Sequence, residues 1–177
     1  GKGVKANGPV TIWADPALKG ALEALQPEFR KAHRAGWEIT WKESGEIDTE
    51  LSADSAPLVI LCTAPLLGKL RVGGVADESS SRTFAGDRLA IVSNQERERA
   101  VPSVGDMVLL QIKGLAIGLP TTSVGYYAQQ ALVSDGAAKT VGEKTNGFAS
   151  QQAAIDALLS GENDLAIVYA SAAAQNP

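Results

Sequence analysis

Asn163-Asp164-Leu165-Ala166-Ile167-Val168-Tyr169-Ala170-Ser171 is the stretch that decides the fold of this 177-residue chain. Its centre, Leu165 to Tyr169, is a short apolar run with the length of a buried strand, and it ends on a tyrosine followed by small residues. Open α/β sheets hold small ligands at the carboxyl ends of their strands. The stretch therefore predicts a strand that brings the phenol of Tyr169 to a ligand site.

Further apolar runs predict other strands, and these runs alternate with helical patterns. Strands are predicted over residues 10–14, 37–42, 58–63, 88–93 and 115–118. Apolar residues at helical spacing follow the first strand from Leu18 to Phe29, and two later helices are predicted over residues 124–134 and 150–159. Strands that alternate with helices favour parallel βαβ units over a sandwich or a helix bundle.

The composition excludes several classes of function. The net charge is -4, and no run of Lys and Arg is interleaved with aromatic residues, so no nucleic-acid partner is expected. Apolar runs such as residues 58–62 have strand length, whereas a bilayer span needs about 20 residues. No membrane span is therefore expected in this chain. The hydrophobic fraction of 45% and the charged fraction of 20% are those of a globular protein with a core.

Candidate catalytic and metal-binding residues are few. The single cysteine, Cys62, excludes an internal disulfide and is read as a small core residue. His33 is the only histidine, and its basic neighbours place it at the polar end of the first helix. Because no nucleophile and base pair or metal cluster is evident, we expect neither an enzyme nor a metal or cofactor site.

The order of these segments resembles the molybdate-binding type II solute-binding proteins of ABC importers, from about Val10 to Ser171. The motifs that carry the resemblance are Lys42-Glu43-Ser44-Gly45, Ser123-Val124-Gly125 and Ile167-Val168-Tyr169. The resemblance implies two α/β lobes with mainly parallel sheets and a ligand cleft between them. It also implies a periplasmic or other extracytoplasmic location for the mature protein and an ABC permease as partner.

The resemblance also implies which residues bind the ligand. Ser44 would donate its hydroxyl, Val124 its backbone N–H, and Ser123 and Tyr169 further donors, with Gln151 at the start of a later helix. Neutral donors of this kind bind oxyanions without Lys or Arg. For Ser44 the alternative is a helix N-cap. The alternative for Ser123 is a polar turn, and for Tyr169 it is packing at the lobe interface.

Several positions depart from the family pattern. Ala17 stands where the family has an anion-binding serine in the first loop, and Gln151 stands where the family has a small apolar residue. Asp15 and Glu43 add carboxylates near the expected site, although Asp15 is also a suitable helix N-cap. We therefore expect molybdate and tungstate to bind weakly or not at all.

The expected domains are a first lobe over residues 1–86 and a second over 87–177, with a crossover strand at 88–93. The family pattern continues past the Ile-Val-Tyr strand and returns to the first lobe, and this return is expected to be absent here. The sequence predicts a small-solute binding protein of an ABC import system, for an oxyanion such as molybdate or tungstate or with altered specificity. The alternative is a sensory or interaction domain that has lost oxyanion binding, and an enzyme is the third and weakest hypothesis.

Overall fold

The computed structural model describes residues 8–51, 55–94, 101, 103–109 and 112–175. In these residues the fold is mixed α/β, with strands in two separate sheets. Backbone contacts divide the chain into two compact units, residues 1–83 and 84–177. The division into two functional lobes at residues 86 and 87 stays a prediction.

The first unit contains a parallel sheet in the strand order β2-β1-β3. Strand and helix alternate along the chain, because each parallel pair needs a crossover connection and a helix supplies it. The register pairs Val10 with Trp37 and Ala14 with Trp41. The elements of the first unit are β1 (Val10–Ala14), α1 (Lys19–His33), β2 (Trp37–Trp41), α2 (Ser44–Glu50), β3 (Val59–Leu61) and α3 (Ala64–Val72).

Side chains of β1 alternate between two small apolar clusters, as the period of a strand requires. Ile12 and Ala14 are buried against Leu22 of α1. Trp13 packs instead against a cluster that contains Ile47, which is fully buried on α2. The sheet of the first unit therefore has apolar clusters built from different helices on its two faces.

The amino and carboxyl ends of α1 follow the sequence signals. A short 3₁₀ turn, Pro16–Leu18, precedes the helix and carries proline in its first turn, where the missing N–H costs least. The helix ends at His33, and its C-cap, Arg34, has a left-handed φ of 53°. His33 is the last helical residue, and its ring centroid lies 4.7 Å from that of Phe29. The prediction that His33 lies at the end of the first helix is confirmed.

The second unit contains a sheet in the strand order β4-β7-β5-β6. β5 is parallel to both of its neighbours, β6 and β7, whereas β4 is antiparallel to β7. The prediction of an α/β fold with mainly parallel strands is confirmed. The elements of this unit are β4 (Leu89–Ser93), α4 (Val104–Leu109), β5 (Leu115–Gly118), α5 (Ser123–Ser134), α6 (Ala138–Val141), β6 (Thr145–Phe148), α7 (Gln151–Leu159), β7 (Leu165–Tyr169) and α8 (Ala170–Gln175).

The two central strands of this sheet are buried on both faces. Leu115 and Ile117 of β5 pack in a cluster with Leu132 of α5. Ala116, on the other face of β5, packs in a cluster with Ile155 of α7. Strands that are buried on both faces have continuous apolar sequences. For this reason apolar and polar residues do not alternate in β5 and β7.

A polar clasp joins the beginnings of β5 and β7. One side-chain oxygen of Asp164 accepts hydrogen bonds from the backbone N–H groups of Lys113 (3.1 Å) and Gly114 (3.0 Å). In return, the carbonyl of Gly114 accepts from the N–H of Leu165 at 3.2 Å. Gly114 has no room for a side chain, because an ideal Cβ there would lie 2.5 Å from the side-chain oxygen of Asn163. The clasp fixes the point at which the two strands begin to pair.

The structure shortens the strand predicted over residues 58–63 and adds a strand that was not predicted. The strand predicted over residues 58–63 is limited to Val59–Leu61, because α3 begins at Ala64 with a proline in its first turn. The structure adds β6 at Thr145–Phe148, where the sequence Thr-Asn-Gly-Phe has no apolar alternation. β6 is held by backbone pairing with β5 at the edge of the sheet, so its side chains carry little strand signal.

Candidate functional site

The turn from β5 into α5 is closely packed. Thr122 caps the helix: its hydroxyl accepts from the N–H of Gly125 at 3.0 Å and donates to the carbonyl of Leu119 at 2.8 Å. A Cβ on Gly125 would collide with the backbone oxygens of Leu119 and Gly118. The first turn of α5 therefore lies directly against the end of β5, and only glycine fits at the contact.

This turn presents backbone donors at the beginning of α5. The first N–H groups of a helix have no partner within the helix, and they carry the positive end of its dipole. Thr122 satisfies the N–H of Gly125, but in the part of the chain that the structure describes neither Ser123 nor Val124 donates its N–H to any acceptor. Both residues are buried, with exposures of 3% and 2%. Buried donors of this kind suit an anion.

A second helix begins at the same edge of this sheet. Ser150 caps α7 by accepting from the N–H of Ala153 at 3.2 Å. Gln151, the first residue of α7, accepts from the N–H of Tyr169 through its side-chain oxygen at 2.7 Å. The amide of Gln151 thus ties the beginning of α7 to the end of β7.

The parallel strands explain why these features meet. β5, β6 and β7 are neighbours with the same direction, so their carboxyl ends lie at one edge of the sheet. A hydrogen bond of 2.7 Å from the N–H of Leu119 to the carbonyl of Phe148 links the segments after β5 and β6. The structure therefore places four predicted site residues at one edge of the second unit: Ser123, Val124, Gln151 and Tyr169.

The fifth predicted residue, Ser44, lies in the first unit, and one interpretation of it is wrong. Ser44 is the first residue of α2, and the N-cap is Glu43. Glu43 and Glu46 form a capping box, in which each side chain accepts from the backbone N–H of the other. Glutamate side chains thus accept the capping hydrogen bonds at the beginning of α2, and the hydroxyl of Ser44 takes no part in the cap. The prediction that Ser44 shares a cavity with the residues of the second unit stays a prediction.

Asp15 is the partner of Ser44 in the first unit. Asp15 follows β1 and is only 4% exposed. One of its oxygens accepts from the N–H of Ala17 at 3.0 Å, which confirms the N-cap interpretation. The other oxygen accepts from the hydroxyl of Ser44 at 3.5 Å, a long hydrogen bond. This contact joins the carboxyl ends of β1 and β2, and no pattern in the sequence predicts it.

Lys42, which directly follows β2, contacts both an acid and an aromatic ring. Its ammonium group lies 2.6 Å from the carboxylate of Glu50 and 4.7 Å from the centre of the Trp13 ring. An ion pair and a cation–π contact together hold the group in place.

Cys62 follows β3 at the same edge of the first sheet, and it is partly buried rather than fully inside the core. Burial, and secondarily the negative charge of Asp15, raise the pKa of the Cys62 thiol from 9.0 to about 11. Desolvation disfavours the thiolate, and so does a nearby carboxylate. The thiol is therefore a poor nucleophile at neutral pH.

We expect Cys62 to react about 100-fold more slowly with a thiolate-specific disulfide reagent in the folded protein than in urea, because its thiolate is about 100-fold rarer at neutral pH. The measurement is the rate of thiol labelling at fixed pH with and without denaturant. Equal rates would contradict both the burial of the thiol and the influence of Asp15.

The sequence predicts a polar turn at Thr121 to Ser123 and a helix that begins near Gly125, but it did not identify Thr122 as the cap or the close contact between Gly118 and Gly125. Two glycines that flank Pro-Thr-Thr after a buried strand are a recognisable sign of a tight strand-to-helix turn. Among the described residues, no group of three or more His, Cys, Asp and Glu side chains is arranged to hold a metal ion.

Comparisons with known proteins identify the family and the fold of this chain. Residues 10–177 match the model of a family described as bacterial extracellular solute-binding protein. No match was found among curated protein sequences.

Three solved structures share the fold. The substrate binding domain of a putative molybdenum ABC transporter from Clostridium difficile superposes with a TM-score of 0.69 and 18% identity, over 91% of this chain and 71% of that one. The periplasmic molybdate-binding protein of Azotobacter vinelandii superposes with a TM-score of 0.73 and 22% identity, over 90% of this chain and 71% of that one. Iron-bound HitA from Pseudomonas aeruginosa superposes with a TM-score of 0.62 and 14% identity, over 92% of this chain and 63% of that one.

Proposed function

Because this chain belongs to the bacterial extracellular solute-binding protein family, we propose that it captures a small oxyanion outside the cytoplasm and delivers it to an ABC permease. The family consists of solute-binding proteins and not of enzymes, and its description implies an extracytoplasmic location. Across the residues that the structure describes, no helix has both the length and the apolar character to span a bilayer.

The observation that carries the oxyanion proposal is the beginning of α5. Ser123 and Val124 are buried at the amino terminus of a 12-residue helix, and no described acceptor receives their N–H groups. Leaving a buried donor without a partner costs about 1–3 kcal/mol. An oxyanion would accept both hydrogen bonds and would lie at the positive end of the helix dipole. In this proposal Tyr169 and the N–H of Gln151 supply further donors from the ends of β7 and β6.

Two solved structures with this fold carry molybdate or molybdenum in their descriptions, and a third is iron-bound. At sequence identities of 14–22%, these structures show only that this chain shares their fold. We therefore propose a tetrahedral oxyanion as the ligand because of the hydrogen-bond donors at the beginning of α5 in this chain. Within that class we expect molybdate and tungstate to bind weakly, because Ala17 has no hydroxyl and Asp15 is a buried carboxylate.

The test is a screen of molybdate, tungstate, sulfate and phosphate by thermal denaturation and isothermal titration. A ligand at 100 times its dissociation constant stabilises the folded protein by about 2.7 kcal/mol, which shifts the melting temperature measurably. Submicromolar binding of molybdate would restore the ordinary molybdate transport function. If none of the four anions binds, the oxyanion proposal is wrong and the alternative of a sensory or interaction domain takes its place.

We expect Ala17→Ser to raise oxyanion affinity about tenfold or more, because one hydrogen bond to a charged group contributes about 1.5–3 kcal/mol. Ala17 lies in the 3₁₀ turn directly after Asp15, at the carboxyl end of β1. Titration of the anion that binds best in the screen measures the change. Ala21→Ser, one turn further along α1, is the matched control and should leave the affinity unchanged. An equal affinity for wild type and Ala17→Ser would mean that position 17 does not face the ligand.

A further inference from the structure

The side-chain amide of Gln151 is held in one orientation by the backbone of β7. Its oxygen accepts a hydrogen bond of 2.7 Å from the N–H of Tyr169. A backbone N–H can only donate, so the amide oxygen must face Tyr169, because a flipped amide would set its NH₂ group against that N–H. Within the described part of the chain, no acceptor receives the two N–H bonds of this NH₂ group. The amide therefore has two donors left for another partner.

This amide lies beside the carboxyl end of β5. The segment from Phe148, the last residue of β6, to the side chain of Gln151 connects the end of β6 with the end of β7. β5 lies between β6 and β7 in the sheet, so this connection passes the end of β5. α5 begins after the same strand and packs on the face of β5 opposite to α7. The buried N–H groups of Ser123 and Val124 and the amide of Gln151 therefore flank one strand end.

We propose that the side-chain NH₂ group of Gln151 binds the oxyanion directly, from the side opposite to the first turn of α5. This inference rests on the proposed oxyanion function, and it adds a side-chain donor to the backbone donors named there. Because the amide oxygen is engaged by Tyr169, Gln151 offers a ligand donors only. The position therefore favours a ligand with several acceptor oxygens and disfavours a metal cation.

Gln151→Glu is the decisive variant, because it keeps the shape of the side chain and replaces the NH₂ group by a second carboxylate oxygen. One oxygen can still accept from the N–H of Tyr169, and a negative charge in the first turn of α7 suits the helix dipole. The variant should therefore fold as well as wild type. Gln151→Met keeps the length of the side chain and removes both the donor and the acceptor. Gln129→Glu is the matched control, since Gln129 is an exposed residue of α5 and the change of charge is identical.

The measurement is isothermal titration with molybdate, tungstate, sulfate and phosphate. For each anion that wild type binds, we expect Gln151→Met to lose about tenfold in affinity, because one hydrogen bond to a charged group is lost. Gln151→Glu should lose about a hundredfold or more, because its carboxylate also repels the anion. Gln129→Glu should stay within about twofold of wild type, because solvent screens an exposed charge. If Gln151 only held Tyr169 in place, the glutamate variant, which keeps the acceptor, would lose less than the methionine variant.

Nuclear magnetic resonance tests the same contact in the wild-type protein. The two side-chain N–H signals of Gln151 are identified by their absence from the spectrum of Gln151→Met, and those of Gln129 by their absence from that of Gln129→Glu. On addition of an anion that binds, the signals of Gln151 should shift far more than those of Gln129. This measurement decides the question even if Gln151→Glu does not fold.

The outcomes that contradict this inference differ from those that contradict the proposed function. A folded Gln151→Glu with the affinity of wild type overturns the inference, and so does a loss no larger than that of Gln151→Met. Side-chain signals of Gln151 that stay in place when the anion binds overturn it as well. In each of these cases wild type still binds an anion, and the oxyanion function stands. If wild type binds none of the four anions, the proposed function itself is wrong.

Discussion

Gly125→Ala will lower the free energy of unfolding by about 3 kcal/mol or more, which is a severe effect for one methyl group. An ideal Cβ at this position collides with the backbone oxygens of Gly118 and Leu119. Backbone atoms cannot turn aside as a flexible side chain can, so α5 must move away from β5. Urea denaturation of wild type and variant measures the loss. The same displacement would abolish ligand binding, since Ser123 and Val124 begin the helix that moves.

The control is Gly142→Ala in the same unit. Gly142 has helical backbone angles, φ -55° and ψ -43°, and nothing lies within 4 Å of its ideal Cβ. This substitution should leave stability within about 0.5 kcal/mol of wild type, or raise it slightly. If Gly125→Ala and Gly142→Ala behave alike, the close packing of the α5 turn is wrong.

Ser123→Pro should weaken oxyanion binding by about a hundredfold or more, because it removes both the hydroxyl and the backbone N–H of Ser123. Proline is well tolerated as the first residue of a helix. The preceding residue, Thr122, already has the extended angles that proline requires of its neighbour, φ -90° and ψ 154°. Two hydrogen bonds to an anion, at about 1.5–3 kcal/mol each, account for the size of the effect. Isothermal titration with the anion that binds best measures the change.

Ser123→Ala separates the two donors, since it removes the hydroxyl and keeps the N–H. We expect a loss of about tenfold for this variant, and a further loss for the proline variant. Thermal denaturation without ligand must show that both variants are folded. If the two variants bind equally well, the N–H of Ser123 makes no contact with the ligand, and the amino terminus of α5 is not the anion site.

The parts of the fold that could be predicted from the sequence are those that bury apolar side chains. The strand at Leu165–Tyr169 has the predicted bounds, because its two covered faces require an apolar run of strand length. The family match and the fold shared with two molybdate-related structures confirm the resemblance on which the prediction rested. β6 could not be predicted, since edge pairing through the backbone leaves little trace in side chains.

The candidate site was less predictable, because hydrogen-bond partners depend on contacts between distant segments. Ser44 and Asp15 are 29 positions apart, and their contact exists only because β1 and β2 are parallel neighbours. The capping of α2 by Glu43 was missed for another reason. A serine before an apolar helix face is a common N-cap, and here a glutamate pair performs that function. The ligand-binding roles of Ser44, Ser123, Val124, Gln151 and Tyr169 stay predictions.

The clasp between Asp164 and the beginning of β5 also governs how fast the second unit can fold. It joins Asp164 to a position 50 residues earlier in the chain, and α5, α6, β6 and α7 all lie in the intervening segment. Closing such a loop costs entropy before any β5–β7 contact forms, and a parallel pair has no hairpin to shorten the path. Helices, by contrast, form locally within about a microsecond. We therefore expect α5 and α7 to form early during refolding and the pairing of β5 with β7 to limit the rate.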